Sequence, residues 1–175
     1  MKNVVLGVTG SVAIYKSCDI IRRLKENGCD VTVVMTKEAK EFINPILFQT
    51  LSGNKVYESM FEVPENWDIE HISLAQKADL VLIAPATANI IAKAACGLCD
   101  DLLSCIVLAT KAKIVFCPAM NDGMFLNKIT QANIKKLSEL NCKFIQPVKG
   151  KLACGKVGIG CLADVDTIVK AVLAT

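Results

Sequence analysis

At 175 residues the chain has the length of one domain, taking about 150 residues per domain, and it can bury a core without disulfides or a structural metal. Its net charge of +3 comes from scattered Lys and Arg, with no basic stripe and no interleaved aromatics, which argues against nucleic acid as a partner. The hydrophobic share of 53%, counted without the ten glycines, exceeds the usual apolar share of about 45–50%. No apolar run approaches the roughly 20 residues of a membrane span, so the excess points to a buried sheet or an oligomer interface.

The first strand-like run, Val4 to Val8, passes directly into Thr9-Gly10-Ser11 and is too short for a signal-peptide core. A helical pattern follows from about Val12 to Asn27, with Ile14, Cys18, Ile21 and Leu24 on its apolar stripe and Gly28 as its stop. A second strand, Val31–Met35, leads into Thr36-Lys37-Glu38. The stretch from Asn54 to Glu70 reads as irregular. It carries Glu58, Glu62, Glu65, Asp68 and Glu70 with no Lys or Arg after Lys55, most simply a solvated loop. His71, the single histidine, opens a short helical pattern from Ile72 to Lys77, and spacing alone gives it no role.

The third strand, Leu80–Ala84, runs into Pro85-Ala86-Thr87-Ala88-Asn89, where a helix begins. Thr87 and Asn89 suit either a bound phosphate or the capping of that helix. Asp100 or Asp101 can cap a third helix, Leu102 to Thr110, which is apolar nearly all round and expected to be deeply buried. A fourth strand, Ile114–Cys117, precedes Pro118-Ala119-Met120-Asn121-Asp122-Gly123-Met124-Phe125. A helix marked by Ile134, Leu137 and Leu140, a weak strand at Phe144-Ile145, an irregular stretch from Val148 to Leu162 and a short terminal helix capped by Asp164 or Asp166 complete the chain.

Apolar strands alternating with helices predict a single-domain α/β fold over residues 1–175: a doubly wound, Rossmann- or flavodoxin-like parallel sheet with helices on both faces. Ligands in such a sheet bind beyond the carboxyl ends of the strands. There, Gly7-Val-Thr-Gly10-Ser11-Val12-Ala13 allows close backbone approach, but it lacks the G-x-G-x-x-G spacing, and no acid ends the second strand to hold a ribose. A mononucleotide suits these junctions better than a dinucleotide.

The nine cysteines lie mostly within apolar segments, as small hydrophobes do in a reducing compartment, and the expected location is the cytoplasm. Cys96-Gly-Leu-Cys99 has the spacing of half a zinc site without a second half, so no metal is expected. Cys154, in the Gly-rich stretch Leu152-Ala153-Cys154-Gly155, is better placed for chemistry than a strand cysteine.

Taken in order, Gly10-Ser11-Val12-Ala13, His71, Pro85-Ala86-Thr87-Ala88-Asn89, Pro118-Ala119-Met120-Asn121 and Leu152-Ala153-Cys154-Gly155 resemble the FMN-dependent cysteine decarboxylases of the phosphopantothenoylcysteine type. Gly97-Leu-Cys-Asp100-Asp-Leu-Leu is similar as well, and the resemblance spans nearly the whole chain. It implies an FMN site lined by Gly10, Ser11 and Val12, by Thr36, Lys37 and Glu38, by Thr87, Ala88, Asn89 and Ile90 at the phosphate and ribityl chain, and by Ala119 near the ring. It implies His71 as catalytic base, Asn121 on the substrate carboxylate, Lys151, Leu152 and Ala153 contacting substrate from a flap, and Cys154 as proton donor. Lys149, Lys151 and Lys156 either attract an anionic substrate or simply solvate the flap.

The implied reaction converts 4'-phosphopantothenoylcysteine to 4'-phosphopantetheine in coenzyme A biosynthesis. Oxidation of the thiol creates the electron sink that decarboxylation needs, and reprotonation and reduction follow. The resemblance also implies a homotrimer or larger homo-oligomer. Because the chain starts at its first strand and ends soon after its last helix, the synthase fused to many bacterial relatives is expected as a separate protein. Two positions depart from the family pattern: Phe125 where Trp is common, and Cys161 where many bacterial relatives carry Arg. A peptidyl-cysteine oxidative decarboxylase would share the fold, His71 and Asn121 without the reducing step. Flavin prenyltransferases share the architecture but do not fit His71 with the Pro-Ala-Met-Asn run. A non-catalytic FMN-binding regulatory subunit would be expected to carry long acidic extensions.

Overall fold

The computed structural model describes residues 1–61 and 70–175, with Glu70 described through its backbone only. In chain order the elements are β1 (Lys2–Val8), a 3-10 turn (Val12–Tyr15), α1 (Lys16–Glu26), β2 (Cys29–Met35), α2 (Lys37–Lys40), α3 (Pro45–Ser52) and β3 (Val56–Tyr57). Then come α4 (Glu70–Lys77), β4 (Leu80–Ala86), α5 (Ala88–Cys96), α6 (Leu102–Ala109), β5 (Lys113–Pro118), α7 (Asp122–Phe125) and α8 (Lys128–Glu139). Finally come β6 (Lys143–Phe144), β7 (Val148–Lys151), β8 (Val157–Cys161) and α9 (Val165–Leu173).

Six strands form one parallel sheet in the order β3-β2-β1-β4-β5-β6. The central strands β1, β2, β4 and β5 are covered on both faces, and alternate residues feed two cores. Val4, Leu6 and Val8 of β1 pack with Leu80 and Leu82 of β4 and with Ile20, Ile21 and Leu24 of α1. Val5, Val81, Ile83 and Phe116 face the opposite way, against Ile91 of α5, Leu103 and Ile106 of α6 and Leu137 of α8. The order reverses between β1 and β4, so the loops after these two strands diverge and leave a crevice at the carboxyl edge.

Several local expectations are corrected. The first helix is interrupted: Val12–Tyr15 winds as a tighter 3-10 turn before α1 starts at Lys16. Phase is therefore lost against a continuous α-helix, and Ser17 and Ile20 join Ile21 and Leu24 in the core while Cys18 is only half-buried. Asp101, not Asp100, caps α6 in a reciprocal capping box with Ser104. Leu108 of that helix is 50% exposed, so its burial is one-sided. Asp164 occupies the N-cap of α9, and Asp166 in its first turn pairs with Arg23.

The stretch from Val148 to Leu162 is not irregular. Its strands β7 and β8 pair antiparallel as a hairpin set apart from the main sheet. Helix α3, between Asn44 as side-chain cap and Gly53 in the left-handed region, was not anticipated. Within Asn54–Glu70, β3 adds an edge strand and Glu58 pairs with Lys40 at 2.9 Å. Glu62, Glu65, Asp68 and the side chain of Glu70 lie outside the described residues.

Candidate functional site

Two cavities open at the carboxyl edge of the sheet. The smaller, about 90 Å³, is lined by Thr9 and Gly10 after β1, Thr36 and Glu38 after β2, Thr87, Asn89 and Ile90 at the start of α5, and Asp101. Its walls are fixed by buried hydrogen bonds. Thr9 Oγ1 donates to the Pro85 carbonyl at 2.7 Å and accepts from Thr87 N–H at 3.2 Å, tying together the loops on either side of the crevice. Gly10 is required by close approach. A Cβ there would lie 2.6 Å from Glu38 Cβ and 3.2 Å from Glu38 backbone.

Two groups in this cavity suit an anionic ligand. Thr36 Oγ1 is buried with no hydrogen-bond partner among the described residues, although Thr36 sits at the N-cap of α2. A buried hydroxyl without a partner is rare enough to need a cause, and an oxygen-bearing ligand supplies one. Helix α5 starts at the same wall, with Thr87 Oγ1 accepting only from Ile90 N–H at 3.4 Å, so other first-turn N–H groups remain for an anion. The cavity therefore fits a phosphate-bearing cofactor.

Asp101 brings negative charge to this wall, and Lys93 offsets part of it. Burial works against it, but Lys93 Nζ at 2.6 Å and the Ser104 N–H at 2.7 Å outweigh burial and hold Asp101 below the ordinary carboxylate range. Lys93 also reaches Asp100 at 2.7 Å.

The larger cleft, about 570 Å³, lies between the 3-10 turn, the end of β5 and the hairpin. Ser11, Val12, Ala119 and Asn121 line it from the sheet side, and Lys151, Leu152, Ala153 and Cys154 from the hairpin. Ser11 Oγ donates to the Ala119 carbonyl at 3.1 Å, locking the β1 loop to the end of β5. The hairpin is pinned at its base. Met120 N–H donates to Gly160 O at 3.0 Å, and Gly160 has φ +151°, where an added Cβ would lie 2.1 Å from Met120 O. Its tip is exposed except for Leu152.

The cleft brings Asn121 and Cys154 together. Asn121 Oδ1 accepts from Gly123 N–H at 2.9 Å, which turns the amide NH2 outward, and Nδ2 donates to Cys154 Sγ at 3.7 Å. A pure donor at the mouth of the cleft suits a carboxylate. Cys154 is exposed, whereas Cys117 is fully buried and desolvation pushes its thiol far up. Burial, then the neighbouring Cys99, pushes the Cys105 thiol up to about 11.

Of the residues expected from sequence, Lys37 and Ala88 line neither cavity. Lys37 is exposed in α2 and Ala88 half-buried in α5. His71 also lines neither. It is half-buried in the first turn of α4, a helix that packs on α6. Sequence reasoning missed Thr9, Asp101, Tyr15 and Lys16. Lys16 lines the cleft and donates from Nζ to the Leu162 carbonyl at 3.3 Å, a placement set by the 3-10 turn that shifts the helix phase. Cys161, at the position of the family's common Arg, lines the cleft and donates from Sγ to Lys151 O at 3.6 Å.

A family model described as Flavoprotein matches residues 1–175. The chain belongs to the flavoprotein family. Among curated members, this flavoprotein is 44% identical over 171 residues to the "probable phosphopantothenoylcysteine decarboxylase" of Streptococcus mutans, covering 97% of this chain and 96% of that one. It is 48% identical over 159 residues to the "coenzyme A biosynthesis bifunctional protein CoaBC" of Vibrio vulnificus, covering 91% of this chain and 40% of that one. The flavoprotein thus spans less than half the length of such bifunctional relatives. Among solved structures it superposes on a PPC decarboxylase mutant complexed with pantothenoylaminoethenethiol, with TM-score 0.86 and 31% identity over 99% of this chain and 97% of that one. The expected fold and family are borne out. Among the described residues no helix is long and apolar enough to cross a membrane.

Proposed function

We propose that this flavoprotein binds FMN and decarboxylates 4'-phosphopantothenoylcysteine to 4'-phosphopantetheine, a step of coenzyme A biosynthesis. The observation that carries this reading is the pairing of Asn121 and Cys154 across a cleft beside a phosphate-sized cavity. FMN, when bound, supplies the two-electron oxidation of the substrate thiol and its later reversal.

This chain's own residues do the rest. The Thr36 hydroxyl and the first-turn N–H groups of α5 hold the cofactor phosphate, with Gly10 leaving room for it. The Asn121 amide donates to the substrate carboxylate, orienting the bond to be broken. After CO2 leaves, the Cys154 thiol donates a proton to the enethiolate carbon and so commits it to reduction. Leu152, buried at the hairpin tip, helps to exclude water over the cleft.

His71 is the proposed base for the thiol oxidation. Because it lines neither cavity of its own chain, we further propose that a second copy brings it to the cleft in a homotrimer or larger homo-oligomer. Exposed Val12, Tyr15, Met124 and Leu126 around the cleft support such a contact. Nine free cysteines fit a cytoplasmic setting.

The test has two readouts. Purified protein should take up FMN and release CO2 from phosphopantothenoylcysteine. Thr36→Val should raise the melting temperature of the FMN-free protein, because it removes an unsatisfied buried hydroxyl, yet weaken FMN about threefold to tenfold through the lost hydrogen bond. Unchanged FMN affinity in the variant would remove Thr36 from the site. Protein that binds no FMN would sink the reading.

A further inference from the structure

Away from both cavities' chemistry, three sulfur atoms meet where the loop between α5 and α6 passes the segment after β3. Cys105 Sγ lies 3.3 Å from Met60 Sδ and 3.6 Å from the Cys99 carbonyl. The Cys99 thiol lies near enough to act on that of Cys105, and it is 3.9 Å from the Ser104 carbonyl. Met60 is 45 positions from Cys105 in the chain, so the fold, not local sequence, assembles the cluster. Met60 and Cys105 are half-buried and Cys99 is exposed, which gives a partly sheltered site with an open side.

We infer that Cys99, Cys105 and Met60 form a binding site for a soft monovalent cation, Cu(I). Two thiolates and a thioether are the donor set that selects Cu(I) over harder ions. Zinc wants four ligands from Cys, His and carboxylates. Among the described residues no three such side chains gather, so the thioether decides the class of ion. The local field favours a cation as well. Asp100 and Asp101 act on Cys105, and the single ammonium of Lys93 is shared between them. Binding replaces the thiol protons with copper–sulfur bonds, so protons are released and no electron is transferred.

The site lies two residues from Asp101, which lines the smaller cavity, but it does not share a side chain with that cavity. Its failure would therefore leave the decarboxylase reading intact.

The test is an anaerobic Cu(I) titration of the full chain against a coloured Cu(I) chelator, followed also by the ultraviolet thiolate-to-copper band. One equivalent should bind the unsubstituted protein. Cys99→Ser and Cys105→Ser should each weaken it by at least about 100-fold, and Met60→Leu, which keeps the packing, by about tenfold. Cys154→Ser should bind as the parent does. Equal affinity in Cys105→Ser and the parent would overturn the site, as would loss of binding in Cys154→Ser alone. Failure of the parent to compete with the chelator would also overturn it. Circular dichroism and FMN uptake of each variant separate loss of a ligand from loss of fold.

Discussion

The two walls of the site are made of different material. The proposed cofactor wall is carried by β1 and β4, whose residues Val4 to Val8 and Leu80 to Ala84 are all buried, and Thr9 bonds both loops at once. The proposed substrate wall is a hairpin outside the main sheet, exposed at Lys149, Lys151 and Cys154 and anchored through Gly160 and Leu162. A site that must hold one ligand through turnover and exchange another benefits from such a division. Rigid backbone serves the first, and a low-stability element serves the second.

Substitutions can break this comparison. The largest effect on stability should come from Leu82→Ala in β4, fully buried between both neighbours, at about 2–5 kcal/mol in thermal or denaturant unfolding. Val157→Ala in the hairpin, 68% exposed, should stay within about 0.5 kcal/mol. Comparable losses at the two positions would mean that the hairpin belongs to the cooperative core.

Gly160→Ala should come next. Its Cβ meets the Met120 carbonyl, so the hairpin must shift, and a misplacement near 1 Å costs about 100-fold in kcat/KM. FMN affinity should be unchanged, and a fall in it would show that the two walls are mechanically coupled.

A smaller loss than at Leu82 should follow Asp101→Ala, about 0.5–2 kcal/mol at pH 7 through the lost N-cap of α6. The Asp101 pKa is lowered in the folded chain, so its contribution is complete above the unfolded value of about 3.9 and disappears as pH falls through the folded value. The gap between variant and parent should accordingly narrow only below about pH 4.

The same contrast explains what was legible in the sequence. Short, Val- and Ile-rich apolar runs such as Leu80–Ala84, closed by turn residues, read as strands covered on both faces, and the small residues at their ends mark where ligands go. Gly10, Ser11, Thr36, Thr87, Asn121 and Cys154 were found this way and through the motif resemblance, and each lines a cavity. The hairpin was not legible as strands because its residues, Val-Lys-Gly-Lys and Val-Gly-Ile-Gly-Cys, show no consistent apolar face and are held by backbone pairing and a tight base. Helix α3 did carry signals, a capping Asn44 before Pro45 and Gly53 after Ser52, that a search for long amphipathic stripes overlooked. Thr9 escaped because its role is tertiary: no local pattern reports that its hydroxyl will bridge to Pro85 and Thr87, 76 and 78 positions away.

The central claim is that Cys154 completes the reaction by protonating the substrate-derived carbon, and one anaerobic experiment tests it. FMN-loaded Cys154→Ser is given phosphopantothenoylcysteine, and the product is weighed by mass spectrometry. A serine hydroxyl is a far weaker acid than a thiol, whose ordinary pKa is about 8.5, so CO2 should leave but reduction should stall. The account predicts an oxidised enethiol product about two mass units lighter than phosphopantetheine, while the parent protein yields phosphopantetheine itself. Phosphopantetheine made by Cys154→Ser at the parent rate would contradict it.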